Sequence, residues 1–231
     1  MPIKRIAHTL RELGTTEATI YFVGRLLSGL SAGRLQTVRY HIVAQPVPAA
    51  VDRPRPSTTC LVRQITSDDP VVARFPRPTH VIARRFEQGS ACFVAENGGR
   101  FAGFLWLARN AYEEDEVRCC YELASPESCA WDYDVYVEPE FRIGRTFSRL
   151  WDAANAHLAS QGVRWSLSRI SAFNSVSLAA HRRLGIRHLT TATFIVAGPL
   201  QLSVLGQMPY LHLGTGARNR PRLVLRAPEQ G

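Results

Sequence analysis

Lysine is nearly missing from this chain. Of 28 basic residues in 231, only Lys4 is lysine; the remainder are arginine, set against 19 acidic residues for a net charge of +9. The arginines are spread along the whole length. No basic stripe with interleaved aromatics forms, so the pattern of a nucleic-acid-binding protein is absent and no nucleic-acid partner is expected. The net charge still favours anionic partners. Cysteine is sparse: Cys60, Cys92, Cys119, Cys120 and Cys129 are odd in number and contain no CxxC pair. This excludes the usual metal and disulfide frameworks, so no metal is expected and a reducing cytoplasm is the expected location. Long apolar runs are missing too. The longest near the N-terminus, residues 20–30, is interrupted by Arg25 and falls short of the roughly 20 residues a bilayer span needs. No small-residue cleavage site follows a clean apolar core, so neither a transmembrane segment nor a signal peptide is expected. There is no internal repeat. What is present, 45% hydrophobic and 9% aromatic residues with ordinary Pro and Gly counts, suits a globular chain with a sizeable core.

Thr15, Thr16 and Glu17 read as the start of a helix with Val23, Leu26, Leu27 and Leu30 at helical spacing and Gly33 past its end. Residues 35–44 alternate as a strand, and 45–59, with four prolines, read as a linker or long loop. A compact pattern follows: a strand at 61–65, a helix start at Ser67-Asp68-Asp69-Pro70, a helix over 79–88, and a hairpin of 91–96 and 101–108 across Asn97-Gly98-Gly99. After an acidic loop at 113–116 come a short strand within 117–123, a strand at 130–137 and an amphipathic helix on Phe147, Leu150, Trp151, Ala154 and Leu158. A strand at 163–170, a helix from Asn174 or Ser175 to Leu184, and strands at 191–197 and 200–205 complete the order. The division is 1–59 as N-terminal helix, strand and linker, 60–215 as the main domain, and 216–231 as a tail. The class is α/β with a mixed sheet.

The junction Val137-Glu138-Pro139-Glu140-Phe141-Arg142-Ile143-Gly144-Arg145-Thr146-Phe147 carries the chemistry. A turn into a helix N-terminus presents unpartnered N–H groups and a positive dipole, which suits an anion. Gly144 permits close approach, and Arg142 and Arg145 add charge and bidentate phosphate contacts. Further on, Asn174, Ser177 and His181 share one helix face. An ordinary turn with solvated arginines and an ordinary helix-face histidine are the alternatives.

These stretches, with Arg-Leu-Trp-Asp-Ala-Ala-Asn at 149–155 and His-Arg-Arg-Leu-Gly at 181–185, resemble the GNAT superfamily of N-acyltransferases. Within it they are similar to a bacterial GNAT-like group associated with exopolysaccharide gene clusters. The resemblance implies a mixed, mostly antiparallel central sheet with helices on both faces, a splayed strand-turn-helix cofactor site, and an N-terminal helix-strand extension. It also implies an acyl-CoA donor, acetyl-CoA or another, with the pyrophosphate on Arg142, Ile143, Gly144, Arg145, Thr146 and Phe147. The pantetheine would run along Val135 and Val137, and Asn174 and Ser177 would contact the donor. The superfamily writes this turn as Arg or Gln, two residues, Gly, one residue, then Gly or Ala. Here Arg142 matches, while Arg145 and Phe147 take the small-residue places. His181 stands where tyrosine is usual.

Amine acylation needs a neutral amine, an oxyanion donor and an acid for the leaving thiolate. Strand alternation groups Asp132, Asp134 and Tyr136 opposite Tyr133, Val135 and Val137. Asp134 is the candidate base or ammonium binder, its alternative being a pair with an arginine such as Arg169. Backbone N–H groups near 135–137 are the oxyanion donors, and His181 is the proton donor. Tyr112, Glu122 and Asp132 are candidates for the acceptor pocket. The reading is direct N-acyl transfer to a small-molecule amine, an amino sugar or amino acid. Two alternatives stand: acyl carrier protein as donor, and a degenerate domain that binds CoA or a partner without catalysis. A homodimer is a candidate assembly.

Overall fold

The computed structural model describes residues 3–49, 59–216 and 218–228. The expected loop at 45–59 falls largely on 50–58, outside the described residues. The chain forms two compact units, one of Met1–Gln45, Ala111–Ala124 and Leu167–Gly231, the other of Pro46–Asn110 and Ser125–Ser166.

In the first unit, α1 (Ile3–Leu30) breaks at Gly14, whose φ of 79° and ψ of 168° are not helical, so the part carrying the apolar stripe starts at Thr15 as its residues suggest. Ala32 and Gly33 then take positive φ, and Gly33 N–H donates to Ser28 O at 2.7 Å, a left-handed helix stop. The main sheet runs β11-β10-β9-β1-β8, with β1 at Leu35–Pro46, β8 at Trp165–Ser171, β9 at Arg187–Ala197, β10 at Leu200–Leu205 and β11 at Leu211–Gly214; β8 belongs to this unit from Leu167 onward. Pairings β1–β9, β9–β10 and β10–β11 are antiparallel. One face carries α1, where Gly24 sits so close to Thr37 that a Cβ would meet its side chain at 2.9 Å. The same face carries α4 (Ser175–Arg182), whose Leu178 packs with Val43 and Ile170. A three-stranded sheet of β5 (Ala111–Glu113), β6 (Cys120–Leu123) and β12 (Arg222–Leu225) makes β6–β12 parallel. Inside the expected tail 216–231, residues 222–225 form β12 and pair with β6, about 100 residues away.

The acidic run at 113–116 is not a solvated loop throughout. Glu114 has a fully buried carboxylate that accepts from Arg169 Nε at 2.6 Å and Nη2 at 2.5 Å. The Arg169 guanidinium lies 4.5 Å from the centroid of Tyr40, whose hydroxyl donates to Glu116. Glu113 pairs with Arg220 at 2.7 Å.

In the second unit, β2 (Cys60–Ile65), β3 (Ala91–Asn97), β4 (Arg100–Ala108) and β7 (Cys129–Val137) form an antiparallel sheet in the order β7-β4-β3-β2. The expected Asn-Gly hairpin joins β3 and β4. The helix start at Asp69-Pro70 gives only one 3-10 segment, Pro70–Arg74, with Asp69 Oδ1 accepting from Val71 N–H at 3.0 Å. Phe75 and Phe86, the latter from α2 (Thr79–Glu87), lie against Phe104 and Trp106 on one sheet face. On the opposite face His157 of α3 (Thr146–Ser160) meets Phe93, 5.2 Å between ring centroids.

Candidate active site

Strand β7 is bulged where the candidate base lies. Trp106 pairs with Tyr133 and Phe104 with Tyr136, so Asp134 and Val135 together oppose the single residue Leu105. Asp134 takes φ 48°, a left-handed conformation that Asp tolerates better than most residues. Across the pair, a Cβ on Gly103 would meet Tyr136 O at 2.3 Å, so glycine is what lets the strands close at this point. The bulge corrects the face assignment made from strict alternation. Tyr133 and Tyr136 share a face with Phe104 and Trp106, whereas Asp132, opposite Leu107, is on the other face. There Asp132 is buried and accepts from Ser166 Oγ at 2.7 Å.

Asp134 is held by two arginines that sequence reasoning did not find. Arg77 donates through Nε to Oδ2 at 2.9 Å and through Nη2 to Oδ1; Arg85 Nη1 donates to Oδ2 at 2.5 Å. Both guanidiniums rest on rings. Arg77 lies 5.8 Å from the centroids of Phe104 and Tyr136, and Arg85 lies 5.4 Å from Trp106 and 5.0 Å from Tyr133. Oδ2 accepts from both arginines and Oδ1 from Arg77, so an amine would have to share Asp134 with this pair through Oδ1. Arg169, the partner suggested from sequence, pairs with Glu114 instead. One signal for Arg85 was available: with Ile82 it forms the buried face of α2, and a buried arginine needs an anion.

The junction after β7 has the form its residues predict. Pro139–Phe141 make one 3-10 turn, residues 142–145 turn onward, and Arg149 N–H donates to Arg145 O at 2.8 Å in the first turn of α3. Ile143 is 99% exposed, and Arg142, Gly144 and Arg145 are also at the surface. A Cβ on Gly144 would touch only Phe141 O at an ordinary 3.6 Å, so glycine there leaves the approach open without relieving strain. Arg142 folds back, its Nε donating to Val137 O at 3.0 Å. Arg145 occupies the N-cap of α3 with no side-chain cap bond, and among the described residues no ion pair holds it. Thr146 is buried, and the half-buried Phe147 ring meets Trp151 at 6.5 Å. Two exposed guanidiniums at a helix N-terminus fit an anionic group such as a pyrophosphate.

In the first unit, Asn174, Ser177 and His181 do come together along α4. Asn174 Oδ1 accepts from Ser177 N–H at 3.0 Å, which caps the helix. The buried His181 has Nδ1 2.9 Å from Ser177 O, and because a carbonyl only accepts, Nδ1 carries the proton. The other ring nitrogen, Nε2, is the one left for a ligand. Tyr112 and Glu122 do not converge. Tyr112 is buried and stacks on Tyr121 at 6.5 Å, while Glu122, on the opposite face of the β5–β6 pair, binds Arg222 at 2.8 Å. Among the described residues no group of three or more His, Cys, Asp or Glu is placed to hold a metal, and no helix is long and apolar enough to cross a membrane.

A bulged antiparallel strand that leads past a proline and exposed arginines into a helix makes this an α/β chain with a strand-turn-helix site. The sequence model of the acetyltransferase (GNAT) family matches residues 61–186, more than half of the chain, and the chain belongs to that family. Members of the family use acyl-CoA. No curated protein matches the chain in sequence. Solved structures similar to it include a functionally unknown conserved protein from Staphylococcus epidermidis (12% identity, TM-score 0.51, covering 75% of this chain and 66% of that one). A tandem GNAT protein from the clavulanic acid biosynthesis pathway is another, at 16% identity, TM-score 0.50, 75% of this chain and 59% of that one. At these identities the likeness is one of fold, and the chain spans less than two thirds of either protein.

Proposed function

We propose that the chain is an N-acyltransferase that moves an acyl group, acetyl foremost, from acyl-CoA directly to the primary amine of a small molecule. The observation that carries this reading is the exposed pair Arg142 and Arg145 at the start of α3, directly after the bulged end of β7. In the reaction the amine nitrogen attacks the thioester carbonyl, the C–S bond breaks, and the thiolate takes a proton while the new amide nitrogen loses one. A bulge leaves ladder groups unpaired, which supports backbone N–H groups near Val135 and Val137 as donors to the oxyanion, an effect worth about 3 kcal/mol. Asp134 keeps a part in this reading through Arg77 and Arg85, whose placement on the aromatic face it fixes. His181 is the proposed acid. An amino sugar or amino acid is the proposed acceptor, on the subgroup resemblance alone, and the five free cysteines fit a reducing compartment.

The departures at Arg145 and Phe147, with Arg142 resting on Val137 O, favour one second reading: a carrier-protein-bound phosphopantetheine, which brings no adenylate end to this turn. Calorimetric titration with CoA, acetyl-CoA and a longer acyl-CoA separates the two. Saturable binding supports the first. No binding at millimolar ligand, with turnover only on an acylated carrier protein, supports the second.

A further inference from the structure

The first unit leaves an apolar groove uncovered. On α1 the face toward β1 is set by Gly24 against Thr37, and one flank is set by Tyr21, whose ring meets Phe173 just beyond β8 at 5.4 Å. With 100° per residue, Val23 and Leu30 lie about 100–120° round from Gly24 on the opposite flank, the side of β9, and Leu26, about 160° round, crowns the same ridge toward solvent. The sheet there faces the same way. Thr37 pairs with Ile195, Ile195 with Leu202 and Leu202 with Leu213, and directly paired residues share a face, as do Val204 and Leu211 one pair along. Among the described residues no helix covers this part: exposure runs from 46% at Val204 and 61% at Leu213 to 78% at Leu30.

From residue 188 onward the floor strands carry no charge of their own, and the guanidinium that reaches them on this face, Arg39 Nη1 at 2.6 Å from Thr193 Oγ1, is neutralised by Glu17 of α1. Residues 188–217 contain no Asp, Glu, Lys or Arg in a protein of net charge +9. A surface evolved for nucleic acid, an acidic carrier or an anionic bilayer would place arginine here, where the rest of the chain places it freely. Depletion of charge is instead the mark of the core of a homodimer interface, and such a face lets two cationic copies approach without repulsion. The six side chains Val23, Leu26, Leu30, Val204, Leu211 and Leu213 expose on the order of 600 Å², at the upper end of the roughly 300–600 Å² typical of a monomer's largest patch. With a polar rim this approaches the ~800 Å² per partner of a standard interface.

We propose that this groove binds a second copy of the chain across a twofold axis, the Val23–Leu26–Leu30 ridge of each copy lying on the β10–β11 floor of the other. The contact is isologous, so each dimer contains the ridge-on-floor junction twice.

The test is sedimentation equilibrium of the full chain, the variants Leu30→Glu and Leu213→Arg, and their equal mixture, with thermal unfolding of each variant alone. The wild type is expected at twice the chain mass and each variant at the single mass. The mixture returns to the double mass, because the carboxylate introduced on the ridge of one copy meets the guanidinium introduced on the floor of the other, while the second junction keeps its leucines. Leu30 lies at the exposed end of α1, so Leu30→Glu remains informative should Leu213→Arg melt early. A monomeric wild type, or a dimer that survives Leu30→Glu, overturns the proposal. So does flotation of the wild type with uncharged phosphatidylcholine vesicles that Leu30→Glu abolishes, since the groove would then hold lipid.

Discussion

Arg85 and Asp134 meet at 2.5 Å with side chains only 7% and 13% exposed, on a residue whose left-handed φ the bulge of β7 imposes. The pair is thus the anchor of the bulge. Breaking a buried pair by removing one charge costs about 3–5 kcal/mol, because the remaining ion stays desolvated. Asp134→Asn preserves the side-chain size and tolerates the left-handed backbone, so it isolates the charge. We expect it to lower the urea unfolding free energy by about 3 kcal/mol, since Arg77 is a third exposed and rehydrates. Were Asp134 instead an uncommitted base, the substitution would slow turnover and leave unfolding unchanged.

Arg142 and Arg145 carry no comparable structural duty, being exposed on a turn. Their replacement by alanine should leave the melting temperature within a degree or two and act on the donor. A hydrogen bond to a charged group contributes about 1.5–3 kcal/mol, which corresponds to roughly ten- to hundredfold in Kd for each arginine. Binding should also weaken with added salt in the wild type and less steeply in the double variant. Calorimetry at two ionic strengths reads both effects; equal Kd values across the series would remove the turn from the donor site.

Alkaline pH should unfold the first unit through its buried tyrosines. Burial, and next the charge of Glu114, pushes the Tyr40 hydroxyl well above its ordinary 10.0, and burial does the same to Tyr121. Below pH 10 both states keep these protons, so the groups contribute no slope. Above it the unfolded chain loses protons that the folded chain holds, so stability falls as pH rises, by about 1.4 kcal/mol per unit for each tyrosine. Unfolding free energies measured between pH 9 and 11 should show this decline, and Tyr40→Phe should make it shallower by one tyrosine's share. An unchanged slope in Tyr40→Phe would place the titrating groups elsewhere.

Much of this was legible in the residues because it is local. The Asn97-Gly98-Gly99 hairpin, the start of the second half of α1 at Thr15, and the turn from Pro139 into α3 each depend on a few consecutive side chains. What escaped depends on partners distant in sequence. Arg77 and Arg85 reach Asp134 from about 50 residues away. Glu114 looked solvated in an acidic run, yet Arg169 buries it. The short β12 carries only the three apolar residues Leu223-Val224-Leu225, too brief a run to read as a strand without the edge that β6 offers. The bulge at Asp134 inverted a face assignment that strict alternation makes with equal force for any straight strand, and nothing in Trp131-Asp132-Tyr133-Asp134-Val135 announces it.

Gly103 tests whether that bulge positions the donor site as well as the fold. A Cβ there would lie 2.3 Å from Tyr136 O and 3.1 Å from the Cα of Val137, both backbone atoms that cannot rotate away. Gly103→Ala must therefore push the end of β7 off β4. Overpacking of this kind costs about 1–3 kcal/mol, and the displaced residues are Tyr136 and Val137, which lead directly into the arginine turn. We expect unfolding free energy to fall by about that amount and acetyl-CoA affinity to fall with it, although residue 103 lies on the neighbouring strand and outside the turn. A nearby control, Ala102→Ser, adds one hydroxyl at a buried site and tests mere destabilisation. If both variants lose equal stability but only Gly103→Ala loses donor binding, the register of β7 against β4 is what aims the turn; if binding survives in both, the turn holds its shape independently of the bulge.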